Sequence, residues 1–267
     1  MTMKRVRPKK SLGQHFLKDE EIARRIASSI DNFVDLPVVE VGPGMGVLTR
    51  PLLEKHPNLT VIEIDTESVD WLKENLKSLS PENIIENDFL EMNLDDLFPG
   101  QKITIIGNYP YNISSQIFFH VLDFKDKVEC CAGMLQKEVA ERLAAKEGTK
   151  ARGILSVLLQ AWYDVEYLFT VDETVFDPVP KVKSGVIRMV RNKVTNLGCD
   201  EKTFKNVIKT TFSQRRKTLR NSIKSLLPPN TTLDDETEKL MSLRPEQLTV
   251  QQFVHLANIV DSVRKQI

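Results

Sequence analysis

The sequence predicts an α/β fold, a doubly wound sheet, followed by a small all-helical domain, and three observations carry that prediction. Residues 38–65 run apolar strand, glycine turn, helix, strand and acid, in that order. The β-branched run Ile103-Thr104-Ile105-Ile106 stops at Gly107-Asn108-Tyr109-Pro110-Tyr111, where proline forces its predecessor out of helical geometry and a rigid loop opens at a strand end. Beyond a composition shift at 192–200, apolar residues keep helical spacing and no strand pattern recurs.

Taken in order, the chain opens with Lys4, Arg5, Arg7, Lys9, Lys10 and Lys18 and carries no acid before Asp19. Ser11-Leu12-Gly13-Gln14-His15-Phe16-Leu17 has no period, so an extended arm is expected. Ile22, Ile26 and Ile30 then mark one face of a helix with Asp19 as its N-cap.

The strand at 38–41 leads into Gly42-Pro43-Gly44-Met45-Gly46 and a helix reaching Leu53. Glycines let the backbone pass close to a ligand and leave helix N-terminal amides to bind it. After the strand 59–64, Glu63 and Asp65 stand at the interval where a doubly wound fold offers a carboxylate to ribose hydroxyls. A dinucleotide pyrophosphate calls for Gly-x-Gly-x-x-Gly. This turn, led by Gly42 and Gly44, instead favours a nucleoside without phosphates, such as S-adenosylmethionine. A helix at 67–76 and a short strand at 83–85 follow, and then Asp88 and Phe89. These suit the adenine end of that cofactor, as acceptor for its amino group and apolar neighbour; they also read as a loop cap and a core residue.

At the end of the fourth strand, Asn108 offers a carboxamide oxygen, Tyr109 its main-chain carbonyl and Tyr111 a flat ring. Two acceptors and a stacking surface are what a flipped-out adenine amino group requires. A helix at 114–122, a strand at 128–135, a helix at 137–146, a basic loop at 148–153 and an apolar helix at 154–162 come next. Strands at 165–171 and 184–190 form an antiparallel pair. Between them a proline-stiffened loop carries Phe176, read as core or as a base-stacking platform, with Lys181 and Lys183 beyond it.

The helical region begins with Phe204, Ile208, Phe212, Leu219, Ile223 and Leu226 at helical spacing, with Ser213-Gln214 as a point of breakage. Lys205, Lys209, Arg216 and Arg220 share one face of the wheel, and with Arg215 and Lys217 they lie in an acid-free stretch from 204 to 226 that suits phosphate. A helix at 250–259 is capped near Thr249. We set the domain boundary at 194/195, with an α/β domain at 1–194 and a small helical domain at 195–267.

Composition bounds these readings. The 267 residues are 41% hydrophobic and 28% charged, typical of a globular protein, with 37 basic against 37 acidic side chains. No apolar run reaches the roughly 20 residues of a membrane span, and no apolar signal-peptide core follows the basic start, so a cytoplasmic protein with no membrane partner is expected. Cys130, Cys131 and Cys199 lack metal-ligand spacing, so no metal site is expected.

Five segments together resemble one family, the KsgA (RsmA) family of bacterial rRNA adenine dimethyltransferases, in that family's order from about Lys9 to about Ile259. They are 11–17 (SLGQHFL), 40–49 (EVGPGMGVLT), 108–115 (NYPYNISS), 176–184 (FDPVPKVKS) and 212–221 (FSQRRKTLRN). The resemblance implies a class I S-adenosylmethionine-dependent methyltransferase fold, Rossmann-like with a seven-stranded sheet, and a C-terminal helical domain. It also implies dimethylation of N6 on two adjacent adenines near the 3' end of 16S rRNA in the small ribosomal subunit; separately, a monomer is expected. By motif position, His15 and Leu17 would contact the cofactor, Gly42 would line its methionine part, Glu63 would hold the ribose, Asp88 its adenine, and Asn108 would stand between cofactor and target. Many members carry Asn in place of His15 and Leu in place of Tyr109. Lys9 and Lys10 of the arm join the other basic residues as expected RNA contacts. A large-subunit rRNA methyltransferase of the antibiotic-resistance type, a largely non-catalytic ribosome-assembly factor and a DNA adenine methyltransferase stand as competing readings.

Overall fold

The computed structural model describes residues 6–229 and 231–264, so Lys4 and Arg5 of the basic arm lie outside the described residues. Two compact units divide the chain. One runs to Glu141 and resumes at Asp164–Arg191; the other holds Arg142–Tyr163 and continues from Asn192. The apolar helix near 154–162 therefore belongs with the C-terminal helices, against one of which it packs, and not with the sheet.

In chain order the strands of the first unit are β1 (Phe16–Leu17), β2 (Val38–Val41), β3 (Thr60–Glu63), β4 (Ile84–Glu86), β5 (Ile103–Asn108), β6 (Val128–Gln136), β7 (Tyr163–Val171), β8 (Phe176–Asp177) and β9 (Ser184–Arg191). Seven of them form one sheet in the order β4-β3-β2-β5-β6-β9-β7, while β1 and β8 pair antiparallel on their own. Pairings from β4 through β6 are parallel and β9 runs antiparallel to β6. Val39, Val41, Ile103, Ile105 and Ile106 are all buried, as both faces of a central parallel strand demand. Each such side chain contributes roughly 1.5–3 kcal/mol.

Helices α1 (Glu20–Ala27), α2 (Thr49–Leu53), α3 (Thr66–Asn75), α4 (Ser114–Asp123) and α5 (Lys137–Leu143) connect the strands. Asp19 caps α1, accepting from the Ile22 amide at 3.0 Å, and Asp65 caps α3. The chain leaves β2 outward to β3 and β4, then returns to β5 on the other side of β2. Ligands settle at such a reversal, outside the carboxyl ends of the strands. Val41 is level with Gly107, which sets the glycine turn beside Asn108.

The second unit contains α6 (Ile154–Gln160), α7 (Glu201–Ser213), α8 (Leu219–Ser222), α9 (Asp235–Leu240) and α10 (Val250–Arg264). Phe212 of α7 stacks on Phe253 of α10, with centroids 6.1 Å apart, and Thr203 donates to Asp261 at 2.6 Å. The helix does break after Ser213. The Leu219 and Arg220 amides of α8 donate to the carbonyls of Leu243 and Met241, at 2.8 and 3.0 Å, so a separate segment satisfies them. Arg216 consequently lies in the intervening turn, and the single basic helix face expected for Lys205, Lys209, Arg216 and Arg220 is replaced by two short pieces.

Candidate active site

A cavity of about 230 Å³ opens at the carboxyl ends of β2, β3 and β5. His15, Gly42, Gly44, Glu63, Asp88, Phe89, Asn108, Tyr109 and Tyr111 all line it, drawn from five separate stretches of sequence.

The glycine turn works by shape. The amides of Gly42, Gly44 and Gly46 are spent internally, on Ile62 O at 2.9 Å, Glu63 Oε2 at 3.1 Å and Pro43 O at 2.9 Å. The three glycine amides of the turn are thus not free for a ligand, which disfavours a phosphate cradled by them. Gly42 has φ +69°, and a Cβ there would point into open space, so the backbone lies bare to an occupant.

Glu63, only 5% exposed, is held by the amides of Gly44 and Asp65, the latter at 3.0 Å. Burial raises its pKa, and those two amides work against the rise. Asp88 Oδ1 caps the turn that follows by accepting from the Leu90 amide at 2.9 Å. Phe89 is buried edge-on against His120. Asp88 is thus a loop cap and Phe89 a core residue, and both also line the cavity.

The target side is built around Asn108. Its Nδ2 donates to the main-chain carbonyl of His15 at 3.0 Å, which fixes the carboxamide flip and makes Oδ1 its acceptor end. Tyr109 is a wedge. Its amide donates to Met134 O at 2.9 Å and its hydroxyl to Ala132 O at 2.7 Å, and the ring lies against Gly107 and Gly133, where any side chain would collide with it. Those glycines explain how a phenol is accommodated there. Two anchors hold the peptide whose carbonyl is the second candidate acceptor. Tyr111 is half-buried, with its hydroxyl 2.6 Å from Ser184 Oγ, and the His15 ring stacks on it with centroids 5.3 Å apart. His15 Nδ1 carries a hydrogen toward Pro178 O at 2.7 Å, since a carbonyl only accepts.

Two expected site residues do not line the main cavity. Phe176 is 0% exposed in the hydrophobic core and cannot offer a stacking face; pairing of β8 with β1 turns it inward opposite Leu17. Leu17 is likewise core, and it lines a smaller adjoining cavity of about 30 Å³ with Gly42, Gly44 and Asn108. Of the basic residues, Lys9 turns inward to Asp65 at 2.5 Å and Glu67 at 3.2 Å, Lys183 pairs with Asp172 at 2.9 Å, and Arg220 pairs with Glu238 at 2.6 Å. Arg215 donates to Lys150 O. Lys10, Lys181, Lys209, Arg216 and Lys217 are exposed, and Lys205 is half-buried.

One residue escaped the reading of the sequence. Glu40 of β2 is 1% exposed, lines the small cavity together with Gly42, Gly44 and Asn108, and has no hydrogen-bond partner for Oε2. Burial, reinforced by the charge of Glu63 and opposed by the Thr49 hydroxyl, pushes its pKa up to about 8. An acid in the middle of an otherwise apolar strand was the available signal. Among the described residues no cluster of His, Cys, Asp and Glu could hold a metal, and no helix is long and apolar enough to cross a membrane.

The family model "Ribosomal RNA adenine dimethylase" matches residues 5–262. "Ribosomal RNA small subunit methyltransferase A" of Parabacteroides distasonis is 63% identical over 96% of this chain and 95% of its own, and that of Bacteroides fragilis is 60% identical over 98% and 96%. Among solved structures, a dimethyladenosine transferase from Plasmodium falciparum superposes with a TM-score of 0.75 at 23% identity, covering 95% of this chain and 99% of that one. The 23S rRNA methyltransferase ErmE superposes with 0.71 at 24%, covering 92% and 99%. The fold is that of the class I S-adenosylmethionine-dependent methyltransferases, and the chain belongs to the ribosomal RNA adenine dimethylase family.

Proposed function

We propose that this protein dimethylates N6 of two adjacent adenines near the 3' end of 16S rRNA in the small ribosomal subunit, in the cytoplasm, using S-adenosylmethionine. The observation that carries the reading is Asn108. Its carboxamide is fixed with Oδ1 as acceptor, at the end of β5, beside the bare glycine turn. Relatives near 60% identity that are named for the small subunit support the choice of RNA over the large-subunit alternative, for which the solved-structure likeness speaks to fold alone.

The residues present fit the cofactor. Gly42 leaves room where a side chain would intrude, Glu63 presents a carboxylate to ribose hydroxyls, Asp88 and Phe89 suit the adenine, and Glu40 offers an open valence in the smaller adjoining cavity that Gly42 and Gly44 also line. Bound there, S-adenosylmethionine supplies an electrophilic methyl on sulfur.

The chain's own contribution is positioning. An aryl amine is a weak nucleophile because its lone pair is delocalised into the ring. Asn108 Oδ1 and the Tyr109 carbonyl would accept its two hydrogens and draw the nitrogen toward tetrahedral geometry, with the base resting on Tyr111. No dedicated base is needed, since the amine turns strongly acidic as its new bond forms. Orientation of this kind can supply about 7–11 kcal/mol. The test is transfer of labelled methyl to unmethylated small subunits, large subunits and DNA, with the modified nucleotide mapped. Label as dimethyladenosine in 16S rRNA alone is expected, and label confined to large subunits or DNA contradicts the reading.

A further inference from the structure

The arm that crosses the cavity is fastened at one end to a residue outside it. Gly13, with φ +63°, turns the arm, and Lys9 N donates to Gln14 Oε1 at 2.9 Å across that turn. Both side chains then converge on Asp65, with Lys9 Nζ 2.5 Å from Oδ1 and Gln14 Nε2 3.1 Å from Oδ2. The Asp65 side chain is 0% exposed and also accepts from the Glu67 amide and the Ser68 hydroxyl, each at 3.2 Å. A carboxylate so buried is costly to leave unpaired, so arm and strand end are held together. Between this anchor and the Asn108 bond to His15 O, residues Ser11 to Phe16 form a wall of the cavity. With the wall in place the cavity, open on one side, has a volume of about 230 Å³, below the roughly 300–1,000 Å³ usual for small-molecule sites.

We propose that Asp65 is a positioning residue for the cofactor: through Lys9 and Gln14 it holds residues 9–16 as the wall of the nucleoside pocket, and capture and release of the cofactor proceed through rupture of that anchor. The inference rests on reading the pocket as the S-adenosylmethionine site.

Binding of S-adenosylhomocysteine and steady-state methylation are measured for the full chain and for Lys9→Met, Lys9→Arg, Asp65→Asn and the Lys9→Met/Asp65→Asn double variant. Asn preserves the helix cap and removes the charge, and Lys9 sits on the surface arm, where substitution spares the core. Lys9→Met and Asp65→Asn should each weaken S-adenosylhomocysteine binding and raise KM for S-adenosylmethionine about tenfold, the scale of one hydrogen bond to a charged group. Turnover at saturating cofactor should stay within about twofold, Lys9→Arg should bind as the parent does, and the double variant should be no weaker than either single one. Unchanged binding in Lys9→Met, independent losses that add in the double variant, or equal losses in kcat overturn the proposal. Failure of the unsubstituted protein to bind S-adenosylhomocysteine would instead remove the reading of the pocket, and the inference with it.

Discussion

Asp65, capping α3 just past β3, and Glu40, on the neighbouring β2, are buried carboxyls beside one site, and their surroundings drive them in opposite directions. Burial penalises the charge on Asp65, but hydrogen bonds from Lys9 and Gln14, aided by the Lys9 charge, outweigh it and hold its pKa below the ordinary 3.8. Glu40 is buried as deeply with one oxygen unpartnered, and burial pushes it up to about 8. The difference teaches that depth alone does not decide what a buried acid does. A carboxyl supplied with donors becomes a structural anchor, whereas one left with an open valence keeps a hydrogen-bonding position beside the ligand cavity.

The largest expected effect lies with Glu40. Its folded pKa stands above the 4.5 of an ordinary glutamate, so its contribution is fully present at low pH and is lost as pH climbs through the folded value. Stability should fall between about pH 4.5 and about pH 8, by at most about 1.4 kcal/mol per pH unit, and Glu40→Gln should remove that slope. Denaturant titrations across this range check it. Parallel pH profiles for the two proteins would mean that Glu40 is partnered after all.

Asp65 should show the reverse sign with a smaller amplitude. A depressed carboxyl contributes above its unfolded pKa and ceases to do so in acid, so Asp65→Asn should cost about 1–3 kcal/mol near neutrality, with the gap closing as pH drops below 3.8. Thermal unfolding of both proteins at neutral and acidic pH reads this, and a gap that stays constant into acid would break the contrast with Glu40.

An exposed carboxylate completes the series. Glu238 meets Arg220 at 2.6 Å, with both side chains about half exposed, so Glu238→Gln should change stability by less than about 0.5 kcal/mol. The same substitution removes the acid that offsets the basic turn at 215–220. Binding to small subunits should therefore tighten slightly and depend more steeply on salt. A large stability loss would show that this pair is less hydrated than its exposure implies.

How far the sequence could be read follows from the range of each signal. Strand, glycine turn and strand-end loop are local patterns, and β2, β5 and the residues Gly42, Glu63, Asp88 and Asn108 that face the cavity were legible from them. Phe176 was open to two readings, because a proline-framed aromatic looks the same whether its strand turns it outward or, as pairing with β1 dictates here, into the core. Lys9 looked like one member of a basic tail, since its partner lies 56 residues away and no charge count reveals which cation a buried acid will capture. Arg220 was assigned to an acid-free stretch for the same reason, with Glu238 arriving from another helix.

The measurement that bears most directly on the central claim is methyl transfer by Asn108→Ala to unmethylated small subunits, read beside its affinity for S-adenosylhomocysteine. Removing the carboxamide should lower transfer by at least about a hundredfold, in line with loss of one preorganised polar group at a reacting atom, while affinity falls by no more than about tenfold as the arm loses its bond at His15 O. Transfer close to that of the unsubstituted protein would contradict the assignment of Asn108 as the group that grips the target amine.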